Sequence, residues 1–86
     1  MAALNQAAEF ALHHRMRKMH GDAAQQAIDL HRLGGDEAVR ACLMDLMHRS
    51  ADRNAMKEFL LNVALHLHQN GRPELGSLHH EAVNAW

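Results

Sequence analysis

The chain has 86 residues, nine Lys or Arg against ten Asp or Glu, and a formal net charge of −1 with histidine neutral. This length fits a single domain, residues 1–86, and the near balance of charge argues against a basic nucleic-acid-binding surface. Cys42 is the only cysteine, which excludes an intrachain disulfide framework, and no apolar run reaches the roughly 18 residues that span a bilayer.

The N-terminal residues favour an amphipathic helix over 3–19. Apolar side chains recur there at spacings of three and four, the helical period. They are Leu4, Ala7, Ala8, Ala11, Leu12, Met16 and Met19. The cations of this region follow its apolar part, which is the reverse of a secretory signal, so we expect a cytoplasmic protein. Gly21 is predicted to end this helix.

Two further helices are predicted before residue 50. Asp22 is a suitable N-cap for a short second helix, and the pair Gly34–Gly35 is predicted to end it. Asp36 then opens a third helix, where an acidic side chain favours the helix dipole. The predicted inner stripe of the third helix is Val39, Cys42, Leu43, Leu46 and Met47.

The most apolar predicted helix covers about 54–70, after an N-cap at Asp52 or Asn54, and ends at Gly71. One apolar stripe comprises Met56, Phe59, Leu60, Val63, Ala64 and Leu67. Leu61 and Leu65 widen that stripe to roughly 240° of the circumference. A helix this apolar is expected to pack on more than one side, as the central helix of a bundle.

The remaining residues predict a short C-terminal helix. Pro73 marks a change of direction after the central helix, and Ser77 is the predicted N-cap. Leu78 and Trp86 fall on one line of this helix, with Trp86 expected to dock on its own bundle or on a neighbouring molecule. The sequence therefore predicts an all-α fold, a four- to five-helix bundle.

The order of turns in the first half resembles that of a group of small uncharacterised bacterial helical proteins. The shared pattern is helix, His20-Gly21-Asp22-Ala23, short helix, Gly35-Asp36-Glu37-Ala38, helix. The second helix is short here, and the central helix and the tail lie outside the resemblance. The resemblance implies an all-helical fold and carries no activity or functional residue with it.

Nine histidines are the strongest chemical bias of the sequence. A helical metal chelate needs ligands three or four residues apart, and no two histidines have that spacing. His66 and His68 point about 200° apart on a helix. Asp45 and His48 form the only pair in which a histidine follows a carboxylate by three residues, the spacing of the di-iron bundle pattern. A site assembled across helices stays open, for example from Met16, His20, Met44 and His48, but no metal or other cofactor is predicted.

His31 is the predicted core histidine, because it falls on the apolar line of the second helix. Burial of a neutral histidine lowers its pKa, so we expect stability to fall as the pH drops through the unfolded-state value near 6.5.

Catalysis has little support, since the chain lacks a Gly-rich phosphate loop, a nucleophile elbow, HExxH and CxxC. Cys42 lies among apolar neighbours and is predicted to be buried rather than reactive. A helix-turn-helix around Gly34–Gly35 would present the acidic Glu37 and Asp45 to phosphate. The one basic segment, 13–18, is more typical of dipole compensation at a helix end. Nucleic-acid binding is therefore unlikely on the sequence alone.

These observations predict a non-enzymatic protein that acts by protein–protein contact, as a homodimer or with another protein, and without a membrane. The predicted interaction surface comprises Leu61, Leu65, His68, Leu78 and Trp86. Its basis is the second flank of the central helix, which short neighbouring helices cannot fully cover. Two alternatives are a histidine-dependent metal-binding or pH-responsive protein and a small nucleic-acid-associated regulator.

Overall fold

A computed structural model describes the backbone of residues 2–86 and the side chains of residues 18–86. Three helices follow one another: α1 (Ala2–Arg49), α2 (Arg53–Gln69) and α3 (Pro73–Asn84). Residues 2–86 contain no β-strand, so the predicted all-α class is confirmed. The predicted count of four to five helices is wrong, because the three segments expected before residue 50 form one bent helix.

The predicted break at Gly21 does not occur. Gly21 and Asp22 are both helical, and the backbone of Gly21 does not adopt a positive φ. His20, Ala24 and Ala27 are all buried and lie on one helical face at spacings of four and three. Because this packed face continues past Gly21, tertiary contacts outweigh the roughly 1 kcal/mol that glycine costs within a helix. The predicted apolar side chains of 3–19 lie outside the described residues, except Met19, which is exposed.

The predicted break at the glycine pair is confirmed, and it falls on a single residue. Gly35 has φ 71° and ψ −163°, whereas the remaining residues of α1 are helical. It divides α1 into two helical parts, which we call the first arm (2–34) and the second arm (36–49). Across the bend, His31 Nε2 lies 2.7 Å from Asp36 Oδ1, and the ring nitrogen donates to the carboxylate.

Helix α2 begins and ends as the sequence predicts. The Asp52 carboxylate accepts a hydrogen bond from the Ala55 amide at 3.1 Å and so caps the first turn. At the other end, the Arg72 amide donates to the Leu67 carbonyl and the Gly71 amide to the His68 carbonyl. These two bonds form a Schellman motif, and Gly71 supplies the positive φ of 76° that the motif requires.

Helix α3 begins at Pro73, four residues before the predicted N-cap. Pro73 occupies the first turn, where its missing amide proton is not needed and its fixed φ suits a helix. Ser77 is therefore an exposed residue within the helix and not its cap.

The core lies where both arms of α1 meet α2 and α3. Its buried apolar side chains come from all three helices: Ala24, Val39, Leu43, Met47, Leu60, Val63, Leu67, Leu75, Leu78 and Val83. Phe59 and Trp86, together with other partly buried side chains, pack around this cluster. The scarcity of aromatic residues leaves aliphatic side chains to fill the interior.

Candidate functional site

The predicted interaction surface begins on the outer flank of α2. Leu61 and Leu65 lie one turn apart, with 41% and 53% of their surfaces exposed. The buried residues of the same helix, such as Leu60 and Leu67, face the core on the opposite side. We call the surface formed by Leu61 and Leu65 the α2 outer flank. It is an apolar surface of a helix that is otherwise packed against α1 and α3.

His68 lies where α2 approaches α3. Its ring centroid is 5.9 Å from that of His80, and the residue is exposed. A Cβ atom at Gly76 would lie only 2.6 Å from His68 Nε2 and 3.1 Å from the Ala64 carbonyl oxygen. The absence of a side chain at Gly76 thus allows the two helices their close approach.

Leu78 and Trp86 lie within the bundle rather than beside Leu61 and Leu65. Leu78 is only 6% exposed and belongs to the core. The Trp86 ring packs edge-on against His48 with centroids 4.5 Å apart, and the Arg53 guanidinium carbon lies 4.8 Å from its centroid. Of the two predicted positions for Trp86, the structure shows the one on its own bundle. Among the five predicted surface residues, Leu61, Leu65 and His68 are exposed.

Four of the described histidines form two pairs across helices. His66 approaches His20 of α1 at 5.9 Å between centroids, whereas His68 approaches His80 of α3. The two therefore contact opposite neighbours, as their angular separation on α2 predicts. His20 is buried and also packs against Phe59 at 5.0 Å. Burial, and to a smaller extent the nearby His66, lower the pKa of His20.

His79, and not His31, is the histidine at the centre of the bundle. The prediction for His31 is wrong, because its side chain is about one-third exposed and pairs with Asp36 at the bend. His79 is 2% exposed, and its Nδ1 donates to the Leu75 carbonyl at 2.8 Å. Burial lowers the pKa of His79, and the hydrogen bond to Leu75 partly opposes this effect. His79 lies on an apolar line of α3, because Leu75 and Val83 are four residues to either side of it. This spacing is the sequence signal that predicts its burial.

Cys42 is exposed, which contradicts the predicted burial. The buried line of the second arm runs through Val39, Leu43 and Met47, each four residues after the last. Cys42 lies beside this line, so its thiol reaches the surface. Exposure makes the thiol accessible to reagents, but it does not by itself make the residue a nucleophile.

In residues 18–86, the potential metal ligands do not form a cluster, and some of the basic side chains form ion pairs. In that part of the chain, no three or more His, Cys, Asp or Glu side chains converge as a metal ion would require. Arg40 pairs with Glu81 at 3.4 Å, and Arg49 pairs with Asp45. The metal site left open by the sequence would combine Met16, His20, Met44 and His48. In the structure, His48 packs on Trp86 and His20 packs on His66. The Met16 side chain lies outside the described residues. The same is true of the side chains of 13–17 in the basic segment.

No known family model matches the chain, and neither a curated protein nor a solved structure matches it significantly. The resemblance to small bacterial helical proteins therefore stays a prediction. Within the part of the chain that the structure describes, no helix combines the length and the apolar character needed to cross a membrane.

Proposed function

We propose that this protein acts through protein–protein contact, as a homodimer formed by the α2 outer flank, and that it has no enzymatic activity. The observation that supports this proposal is the exposure of Leu61 and Leu65 on a helix whose other side forms the core. Contact with a second copy would cover both side chains.

A twofold axis at this surface would let each copy cover the exposed leucines of the other. If the α2 helices of the two copies run antiparallel, Leu61 of each copy meets Leu65 of the other, which makes the contact self-complementary. The formal charge of −1 gives little repulsion between copies. Lys57 lies one turn before Leu61 and His68 three residues after Leu65, so polar groups border the apolar centre, as is common at interfaces.

The expected dimer is weak. Full burial of one leucine contributes about 2 kcal/mol, so four half-exposed leucines contribute roughly 4 kcal/mol before the cost of association. The surface area of the two leucines on each copy is also small compared with the roughly 800 Å² per partner that a stable interface buries. The leucines thus account for a dissociation constant on the order of 1 mM, which corresponds to about 4.1 kcal/mol, and the polar groups at the border must offset the cost of association.

Sedimentation equilibrium of the full chain over about 10 µM to about 1 mM at neutral pH tests the dimer. We expect the average mass to rise with concentration, and Leu65→Glu to remove this rise because it places a charge in the contact. Leu33→Glu is the matched control, since Leu33 is 86% exposed next to the bend in α1 and far from α2 in the chain. A monomeric wild type throughout this range, or equal loss in both variants, would contradict the proposal.

A response to pH is a second candidate function, supported by the two buried histidines. His20 and His79 each lie beside another histidine, His66 and His80 respectively, which disfavours protonation of both members. Full protonation of the nine histidines would change the formal charge from −1 to −1 + 9 = +8. Repeating the sedimentation series at a pH about one unit below the ordinary histidine pKa tests this candidate, since self-repulsion should then oppose the dimer. An unchanged dissociation constant would exclude it.

A further inference from the structure

A cavity of about 260 Å³ lies between the two arms of α1 and helices α2 and α3. Its walls are almost entirely apolar: Ala23, Ala27, Leu30, Val39, Leu43, Leu46, Phe59, Leu60 and Val63. Gln26, Cys42 and His79 complete the lining. An engineered apolar cavity of roughly 150 Å³ is enough to bind benzene, so this space is large enough for a small organic molecule.

Part of the cavity is open to solvent. Gln26 on the first arm and Cys42 on the second are exposed residues, although both belong to its lining. A ligand can therefore enter between the arms, while the buried Val39 and Leu60 surround its inner part.

One polar side chain lies at the inner wall without a complete set of partners. The single hydrogen bond of His79 in residues 18–86 joins Nδ1 to the Leu75 carbonyl, which leaves Nε2 unpaired in that part of the chain. No buried polar side-chain atom there is both unpaired and cut off from solvent. Because His79 is 98% buried and lines the cavity, a molecule in the cavity is the partner best placed to reach Nε2.

The chemistry of His79 defines the complementary group. Nδ1 carries the proton that the Leu75 carbonyl accepts, so the Nε2 atom of the neutral ring presents a lone pair. Burial favours this neutral form. A hydroxyl group can donate to Nε2, whereas an ether or a carboxylate cannot. Among residues 18–86, no charged side chain lines the cavity, so the ligand is expected to be neutral.

We propose that this cavity binds a small, neutral, largely hydrophobic molecule of about ten non-hydrogen atoms that carries one hydroxyl group, with the hydroxyl donating to His79 Nε2. The site is separate from the α2 outer flank, since neither Leu61 nor Leu65 lines it. Failure of the ligand to bind can therefore be distinguished from failure of the chain to form a dimer.

The binding test uses 4-propylphenol and its methyl ether, 4-propylanisole, as matched probes with the full wild-type chain. The reaction of Cys42 with a thiol reagent reports occupancy, because this thiol lines the cavity and is the only one in the sequence. At ten times the dissociation constant, the phenol should slow this reaction by up to about tenfold, since the free fraction falls as 1/(1 + [L]/Kd) and a bound ligand covers the side of the thiol that faces the cavity. Calorimetry should show that the ether binds about three- to tenfold more weakly, the usual value of one hydrogen bond.

Two substitutions locate the site. Ala27→Phe places a ring in the cavity and should weaken binding of the phenol by about tenfold or more, whereas Ala41→Phe makes the same change at an exposed position of α1 that does not line the cavity. Circular dichroism confirms that both variants are folded. If Ala27→Phe does not fold, the comparison of the two probes on the wild type still tests binding and the hydrogen bond to His79.

Three outcomes would overturn the inference. An unchanged rate of Cys42 modification together with no heat of binding for the phenol in calorimetry excludes binding in this cavity. Equal affinity for the phenol and the ether excludes the hydrogen bond to His79. Equal affinity of folded Ala27→Phe and Ala41→Phe would place the probe elsewhere on the surface.

Discussion

Gly21 and Gly35 lie in the same helix, fourteen residues apart, and only one of them bends it. At neither position would an added Cβ atom come within 4 Å of its surroundings. Gly21 is helical between the buried His20 and Ala24, whereas Gly35 has φ 71° and ψ −163°. The difference shows that a glycine permits a bend, and that packing on either side decides whether the bend occurs.

The packing differs in a definite way at the two glycines. The buried face of the first arm continues straight through Gly21 to Ala27. At Gly35 a straight helix would instead carry Val39 and Leu43 away from the residues of the first arm that they meet in the core. The bend at Gly35 brings the two arms together around the cavity.

The largest effect is expected for Gly35→Ala. Gly35 occupies a region of backbone conformation that is essentially restricted to glycine, and forcing another residue into it costs about 3 kcal/mol. We expect this loss in the free energy of unfolding, measured by urea denaturation with circular dichroism. Gly35→Asn should lose as much, because a ψ of −163° lies outside the left-handed helical region that asparagine tolerates. A variant as stable as wild type would show that the bend does not depend on glycine.

Gly34→Ala should cost less, about 1–2 kcal/mol, and for a different reason. Gly34 does not have a positive φ, but an added Cβ atom would lie 2.6 Å from the Ala38 Cβ atom just past the bend. The arms must shift apart to relieve this overlap. The double variant Gly34→Ala with Ala38→Gly removes the overlap and should recover the part of the loss due to it, in the same urea measurement. If the double variant loses as much stability as Gly34→Ala and Ala38→Gly lose in sum, the overlap is not the cause.

A smaller change in stability is expected from the titration of His20, which is buried in α1 next to Gly21. The pKa of His20 is lowered in the folded state by burial and by His66, so below about pH 6.5 the unfolded chain takes up the proton more readily. This contribution to stability is present above pH 6.5 and is lost as the pH falls towards the folded-state pKa. We expect wild type to lose more stability than His20→Gln between pH 7.5 and pH 5.5. His79 contributes equally to both proteins, so the difference isolates His20. Parallel losses would contradict the prediction.

The smallest effect is a gain. Gly21→Ala should raise the free energy of unfolding by about 0.5–1 kcal/mol, because alanine favours the helical backbone already present and meets no neighbouring atom. Urea denaturation beside Gly35→Ala provides the direct comparison. Destabilisation by Gly21→Ala would mean that the helix is interrupted at Gly21 in solution.

Local chemistry predicted the parts of the fold that depend on few residues. Asp52 and Gly71 mark the ends of α2, and the glycine pair marks the bend, because capping and positive φ are properties of single positions. Gly21 and Ser77 were misread as helix boundaries, since the packing that carries a helix past them comes from distant segments. The burial of His79 was not predicted for the same reason, because it requires both α1 and α2. The exposure of Cys42 beside the cavity likewise depends on packing between distant segments. Leu61 and Leu65 were predicted as surface residues because their helix is apolar over more than one side.

The position of Trp86 gives the molecule an intrinsic optical reporter. It is the only tryptophan and belongs to the segment after α3, yet it contacts His48 near the end of α1 and Arg53 at the start of α2. Its fluorescence therefore depends on the docking of the third helix against both others at once. A partly folded state in which α1 and α2 associate without α3 would retain helical dichroism and lose the native emission of Trp86.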